Sequence, residues 1–102
     1  MAAHVRKKLE VIVEAPILRL VEEALAAAGI HVFTVLEGRE GRGLAGRWDD
    51  ANLANGMDQR MIVAVAAPEA IAATVAALAI LFARYPGVMF TSDVEVFRPE
   101  RF

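Results

Sequence analysis

The chain of 102 residues contains no cysteine, which leaves it without a disulfide framework or a thiolate metal site. It also has no long hydrophobic run. The longest uncharged stretch, Ala70 to Ala83, is fourteen residues, too short to span a bilayer. The N-terminal segment MAAHVRKKLEV passes from basic residues straight into an alternating pattern, without the apolar core of a signal peptide. A cytoplasmic protein is therefore expected, with no membrane insertion. The net charge is −2, so the positive footprint of a nucleic-acid binder is missing as well. Tryptophan and tyrosine occur once each, and lysine is absent after Lys8.

What the chain does have is apolar surface. Hydrophobic residues make up 57% and charged residues 24%, more apolar than a lone domain of this size requires. Small domains have much surface for their volume, so the surplus points to burial against copies of the same chain.

The periodicity describes one domain over residues 1–102. Leu9, Val11 and Val13 alternate with Lys8, Glu10, Ile12 and Glu14, a half-buried strand. Pro16 suits the first turn of a helix carried by Ile17, Leu20, Val21, Ala24, Leu25 and Ala28, with Gly29 in the capping position. Ile30 to Leu36 is rich in β-formers and predicts a second strand; Met61 to Ala66 predicts a third. Pro68 and Glu69 open a second helix with an Ile71, Val75, Leu78, Phe82 stripe, ended by Pro86-Gly87. Val88 to Phe97 reads as a last strand or bent strand pair, followed by the tail Arg98 to Phe102. The order β-α-β-β-α-β predicts an α+β, ferredoxin-like sandwich with both helices on one face of an antiparallel sheet.

Between the second and third strands the pattern stops for about twenty residues, from about 38 to 58, a length that favours a functional loop. Gly38, Gly41, Gly43 and Gly46 are interleaved there with Arg39, Arg42 and Arg47. Glycine brings backbone N–H groups close to an anion, and arginine adds forked donors. The spacing is neither a Walker A loop nor a dinucleotide fingerprint. Spacing alone leaves an anion site and an unliganded hairpin tip equally open. Trp48, beside Asp49-Asp50, is either a partner contact or a ring folded back on the loop base. Asp49, Asp50 and Asp58 lack calcium-loop spacing, and no metal is expected. His4 and His31 read as ordinary surface or strand histidines. Ser92-Asp93 has no base at a recognisable spacing, so no nucleophile emerges and an enzyme is not expected.

Three stretches together resemble the PII signal-transduction superfamily. KKLEVIVEAPILRLVEEALAAAGI is similar to the opening strand and helix of PII proteins. TVLEGREGRG is similar to their TVTE segment and the Gly-Arg motif at the base of the T-loop. PGVMFTSDVEVFRPERF is similar to the B-loop, fourth strand and C-terminal arginines. The resemblance implies a homotrimer with adenine nucleotides in clefts between subunits. By position, Ile12, Thr34 and Val65 would surround the adenine. Gly41, Arg42 and Gly43 would meet the phosphates, with Gly87 in the B-loop and Arg98 and Arg101 reaching across the cleft. Arg47 and Trp48 would contact a partner through the loop.

The departures shape the expected ligand. The loop has no tyrosine, so it has no uridylylation acceptor; Tyr85 lies at a helix end. Gly41-Arg42-Gly43-Leu44 stands where nitrogen sensors have Gly-Arg-Gln-Lys, and Val88 replaces the B-loop lysine. With fewer cations for a γ-phosphate, ADP or AMP is expected over ATP, without a 2-oxoglutarate response. The chain is most similar to PII-like proteins associated with carboxysomes and bicarbonate transport. That resemblance implies bicarbonate as a co-ligand and a bicarbonate transporter or carboxysome-related protein as partner. A CutA-type trimer and an acylphosphatase-type enzyme share the fold; the latter needs a phosphate cradle after the first strand, where this chain has Glu14-Ala-Pro-Ile17.

Overall fold

The computed structural model describes residues 1–44, 46–49 and 58–102, and of Asp49 the backbone only. Its elements are β1 (His4–Glu14), α1 (Leu18–Ala27), β2 (Thr34–Glu37), β3 (Glu40–Gly43), β4 (Gly46–Asp49), β5 (Gln59–Ala66), α2 (Pro68–Leu81) and β6 (Gly87–Val96). The main sheet has the order β2-β5-β1-β6 with every neighbouring pair antiparallel, the split β-α-β arrangement expected from the sequence.

Alternation along β1 divides the sheet into two faces. Leu9, Val11 and Val13 are buried, with Ile62, Ala64 and Ala66 beside them on β5. Val21 and Leu25 of α1 and Ile71 and Leu78 of α2 close the core over them. The helix stripe includes one polar residue that periodicity passed over. Thr74 is fully buried, and its hydroxyl donates to the Ala70 carbonyl at 2.9 Å, which satisfies it within its own helix.

Among the described residues, the other sheet face carries no helix. Thr34 and Leu36 of β2, Met61, Val63 and Val65 of β5, Ile12 of β1, and Val88 and Phe90 of β6 share it by register. Leu36, Val88 and Phe90 remain 49%, 57% and 48% exposed. Part of the apolar surplus in the composition is gathered here.

Several boundaries differ from the sequence expectation. The first strand starts at His4 rather than Lys8, and the first helix is preceded by a 3-10 turn, Ala15–Ile17. The last strand is a single unbroken one. The second strand begins at Thr34, not Ile30, because Ile30 belongs to the end of α1. Gly29 has φ +83°, its N–H donates to Ala26 at 3.0 Å and that of Ile30 to Leu25 at 2.9 Å. That is a Schellman ending, in which the following apolar residue packs back on the helix; Ile30 is accordingly 5% exposed. Finally, the long loop is not all irregular. Glu40–Gly43 and Gly46–Asp49 pair as a separate two-stranded hairpin, β3–β4, in which Gly41 faces Trp48 and Arg42 faces Arg47.

Candidate functional site

The hairpin rises from a tightly fastened base. Gly38 N–H donates to the Gln59 carbonyl at 2.9 Å, and Ala15 N–H donates to that of Asp58 at 2.8 Å. Arg60, four-fifths buried, hydrogen bonds to the Asp58 carboxylate and lies 3.7 Å from Glu37. The Asp58 hydrogen bond, helped by the charges of Asp58 and Glu37, holds the guanidinium above its ordinary value despite some desolvation. The two strands that flank the loop are thereby tied to each other and to the end of β1.

Between this base and the turn before β6 lies a cleft of about 480 Å³, within the range of small-molecule sites. Ile12, Val13 and Glu14 of β1 line one side. Gly41, Arg42, Gly43, Leu44, Gly46 and Trp48 of the hairpin line another, with Gln59, Pro86, Gly87 and Val88 completing it. Arg42 makes no ion pair among the described residues, whereas its cross-strand neighbour Arg47 is paired with Glu40 at 2.5 Å. The cleft thus offers one uncompensated guanidinium beside glycine backbone, a fit for an anion. Glu14 in the same wall limits how much negative charge it accepts.

The residues expected around a ligand fall into two groups. Ile12, Gly41, Arg42, Gly43 and Gly87 come together in this cleft. Val65 lines a different hollow of about 340 Å³ at the opposite end of the sheet, with His31, Val32, Ala67 and Phe102 among its walls. Arg98 and Arg101 follow β6 at that same end. Gly87 pairs with Val13, but Val96 pairs with His4, and the ten-residue strand between them spans about 30 Å. Arg98 Nε is 3.4 Å from Glu100, and Arg101 is exposed. Thr34 lies on the open sheet face, opposite Val63. One chain by itself does not bring the two groups into a single site.

Trp48 takes the second of its two expected positions and folds back on the loop base. A Cβ at Gly41 would lie 2.6 Å from its ring, and one at Gly38 would lie 3.0 Å away. Glu14, Gln59 and Pro86 were not singled out by sequence; their only signal is position, at the ends of elements that meet at the cleft. Asp58 is engaged by Arg60. Asp50 and the Asp49 side chain, the other members of the divalent-ion trio, lie outside the described residues. Among the described residues no group of three or more His, Asp or Glu is placed to hold a metal, and no helix is long and apolar enough to cross a membrane.

The class that fold and site define is a ferredoxin-like sandwich with an anion-fitted cleft under a hairpin between its second and third core strands. The model of the nitrogen regulatory protein P-II family matches residues 6–101, and the chain belongs to that family. No curated protein sequence matches it significantly. Among solved structures it is similar to CPII, a PII-like protein from Thiomonas intermedia bound to ADP, AMP and bicarbonate. The TM-score is 0.89 at 26% identity, covering 99% of this chain and 96% of that one. A PII-like signaling protein from Thermus thermophilus shares the fold at TM-score 0.84 and 16% identity, covering 100% of this chain and 99% of that one. The GlnK–ATP complex of B. subtilis shares it at 0.64 and 11%, covering 92% and 85%.

Proposed function

We propose that this chain is a PII-like regulatory protein that binds ADP or AMP in preference to ATP, together with bicarbonate, in clefts between the subunits of a homotrimer. The observation that carries the reading is the division of the expected contacts between two ends of one sheet. The Gly41–Gly43 cleft with Gly87 stands at one end, and Val65, Arg98 and Arg101 stand at the other. Head-to-tail association brings unlike ends together and closes into a ring when the rotation permits. The open apolar sheet face is the surface such a ring buries.

In this arrangement Gly41, Gly43 and Arg42 hold phosphate from one subunit, and Arg98 and Arg101 approach from the next. Ile12, Thr34 and Val65, which share the open face, bracket the adenine. Arg42 is the only cation among the described residues lining this cleft. A γ-phosphate adds more charge beside Glu14 than a bicarbonate monoanion does, which favours the diphosphate with bicarbonate over the triphosphate. The similarity to CPII, whose structure holds ADP, AMP and bicarbonate, supports the same ligand set. Ligand signals by binding one pose of the loop better than others. In the cytoplasm the loop, with Arg47 exposed on β4 beside Trp48, then meets a partner in inorganic-carbon metabolism, a bicarbonate transporter or a carboxysome-related protein.

Calorimetry with ADP, AMP, ATP and cyclic AMP, each with and without bicarbonate, tests this. The reading predicts tighter ADP or AMP than ATP and a gain with bicarbonate. Absence of binding by every nucleotide at millimolar concentration overturns it.

A further inference from the structure

The single tryptophan supplies a coupling that ligand-contact residues alone do not. Trp48 stands opposite Gly41 in the β3–β4 register, and its ring also reaches Gly38, outside the hairpin. The indole therefore spans from β4 across β3 to the junction with β2, where Gly38 is hydrogen bonded to Gln59. The same residue lines the cleft.

An isolated two-stranded hairpin is marginal in water. The side-chain ion pair across this one, Arg47 to Glu40, is 66% and 62% exposed and contributes little. Among the described residues, the ring contact is left as the main apolar interaction fixing the hairpin's angle over the cleft. It also gives Gly41 a second meaning. A glycine there permits close backbone approach to an anion, but the distances show a nearer demand: any Cβ would sit 2.6 Å from Cζ2 and 2.9 Å from Cε2 of the indole.

We propose that Trp48 is the positioning residue that seats β3, and with it the Gly41–Gly43 backbone, against the cleft, so that nucleotide occupancy and indole seating are linked. The inference rests on the nucleotide-binding reading above and adds a residue through which the site communicates with the loop. Linkage is reciprocal: a ligand that favours the seated hairpin changes the environment of the indole, and loss of the indole weakens the ligand.

The test uses the full chain and ADP, read by calorimetry and by the emission of the one tryptophan. ADP should shift that emission. Trp48→Ala should weaken ADP about tenfold without changing the thermal midpoint, and Trp48→Phe, which keeps a ring over the glycines, should retain most of the affinity. Gly41→Ala should weaken ADP comparably on its own and add nothing in the Trp48→Ala background, where the clashing ring is gone. Wild-type affinity in Trp48→Ala, or losses that simply add in the double variant, overturns this inference and leaves the nucleotide reading standing. An unsubstituted chain that binds no ADP overturns both.

Discussion

Arg42 and Arg47 face each other directly across the hairpin, an arrangement of like charges that costs stability unless one is neutralised. Glu40 neutralises Arg47, and Arg42 keeps its charge for the cleft. At the far end of the sheet Arg101, with Arg98, offers the second cationic group. If Arg101 meets a phosphate of the neighbouring site, Arg101→Ala should weaken nucleotide binding by about 1–3 kcal/mol, read by calorimetry; unchanged affinity refutes its role. Arg60 plays a different part. A cation whose folded pKa is raised stabilises the fold at every pH below its unfolded value, and loses that contribution only as pH rises from there through the folded one. The Asp58–Arg60–Glu37 clasp is therefore a fixed fastening from the arginine side and not a pH switch.

At the scale of elements, α2 shows how little amphipathicity is needed when a helix is made largely of alanine. Glu69 is its only charged residue, and small side chains cover most of its surface. What anchors it is Ile71, Thr74 and Leu78 against β1 and β5. Leu78→Ala leaves a cavity at a fully buried position and should cost about 2–5 kcal/mol in a denaturant titration; a cost below about 1 kcal/mol contradicts the assigned packing. The first strand and first helix were legible in the sequence because each carries a clear period, as in Leu9, Val11 and Val13. The other core strands and α2 were legible from β-former content, run length and the flanking Pro68-Glu69 and Pro86-Gly87. The β3–β4 hairpin was not. Its strands, Glu-Gly-Arg-Gly and Gly-Arg-Trp-Asp, carry no apolar alternation, and among the described residues backbone pairing, one exposed ion pair and one indole contact hold the shape. Ile30 misled in the opposite sense: a β-branched residue serves there as the apolar plug after a glycine-ended helix, and the strand waits until Thr34 meets Val63. Of the candidate site, the Gly41–Gly87 half assembles within the chain. The Arg98–Arg101 half stands at the other end of the sheet, and no periodicity marks it as part of a site.

For the whole molecule, the open sheet face and the two ends of the sheet pose one question, because the ring proposed above would bury the first and join the second. Phe90 lies on that face and is 48% exposed. Phe90→Asp should convert the assembly to a species near the 11.0 kDa chain mass in sedimentation and abolish nucleotide binding with it. Retention of a trimer with normal binding would place the interface elsewhere. The central claim, a site shared by neighbouring copies, is tested most directly by complementation. Arg42→Ala and Arg101→Ala chains are each prepared, then unfolded together and refolded as an equal mixture, and nucleotide binding is titrated. If the cleft takes Arg42 from one subunit and Arg101 from the next, about a quarter of the clefts in the mixture recover both arginines and bind with unsubstituted affinity. Recovery of none, with each variant alone weakened, would mean that the two arginines act within a single chain.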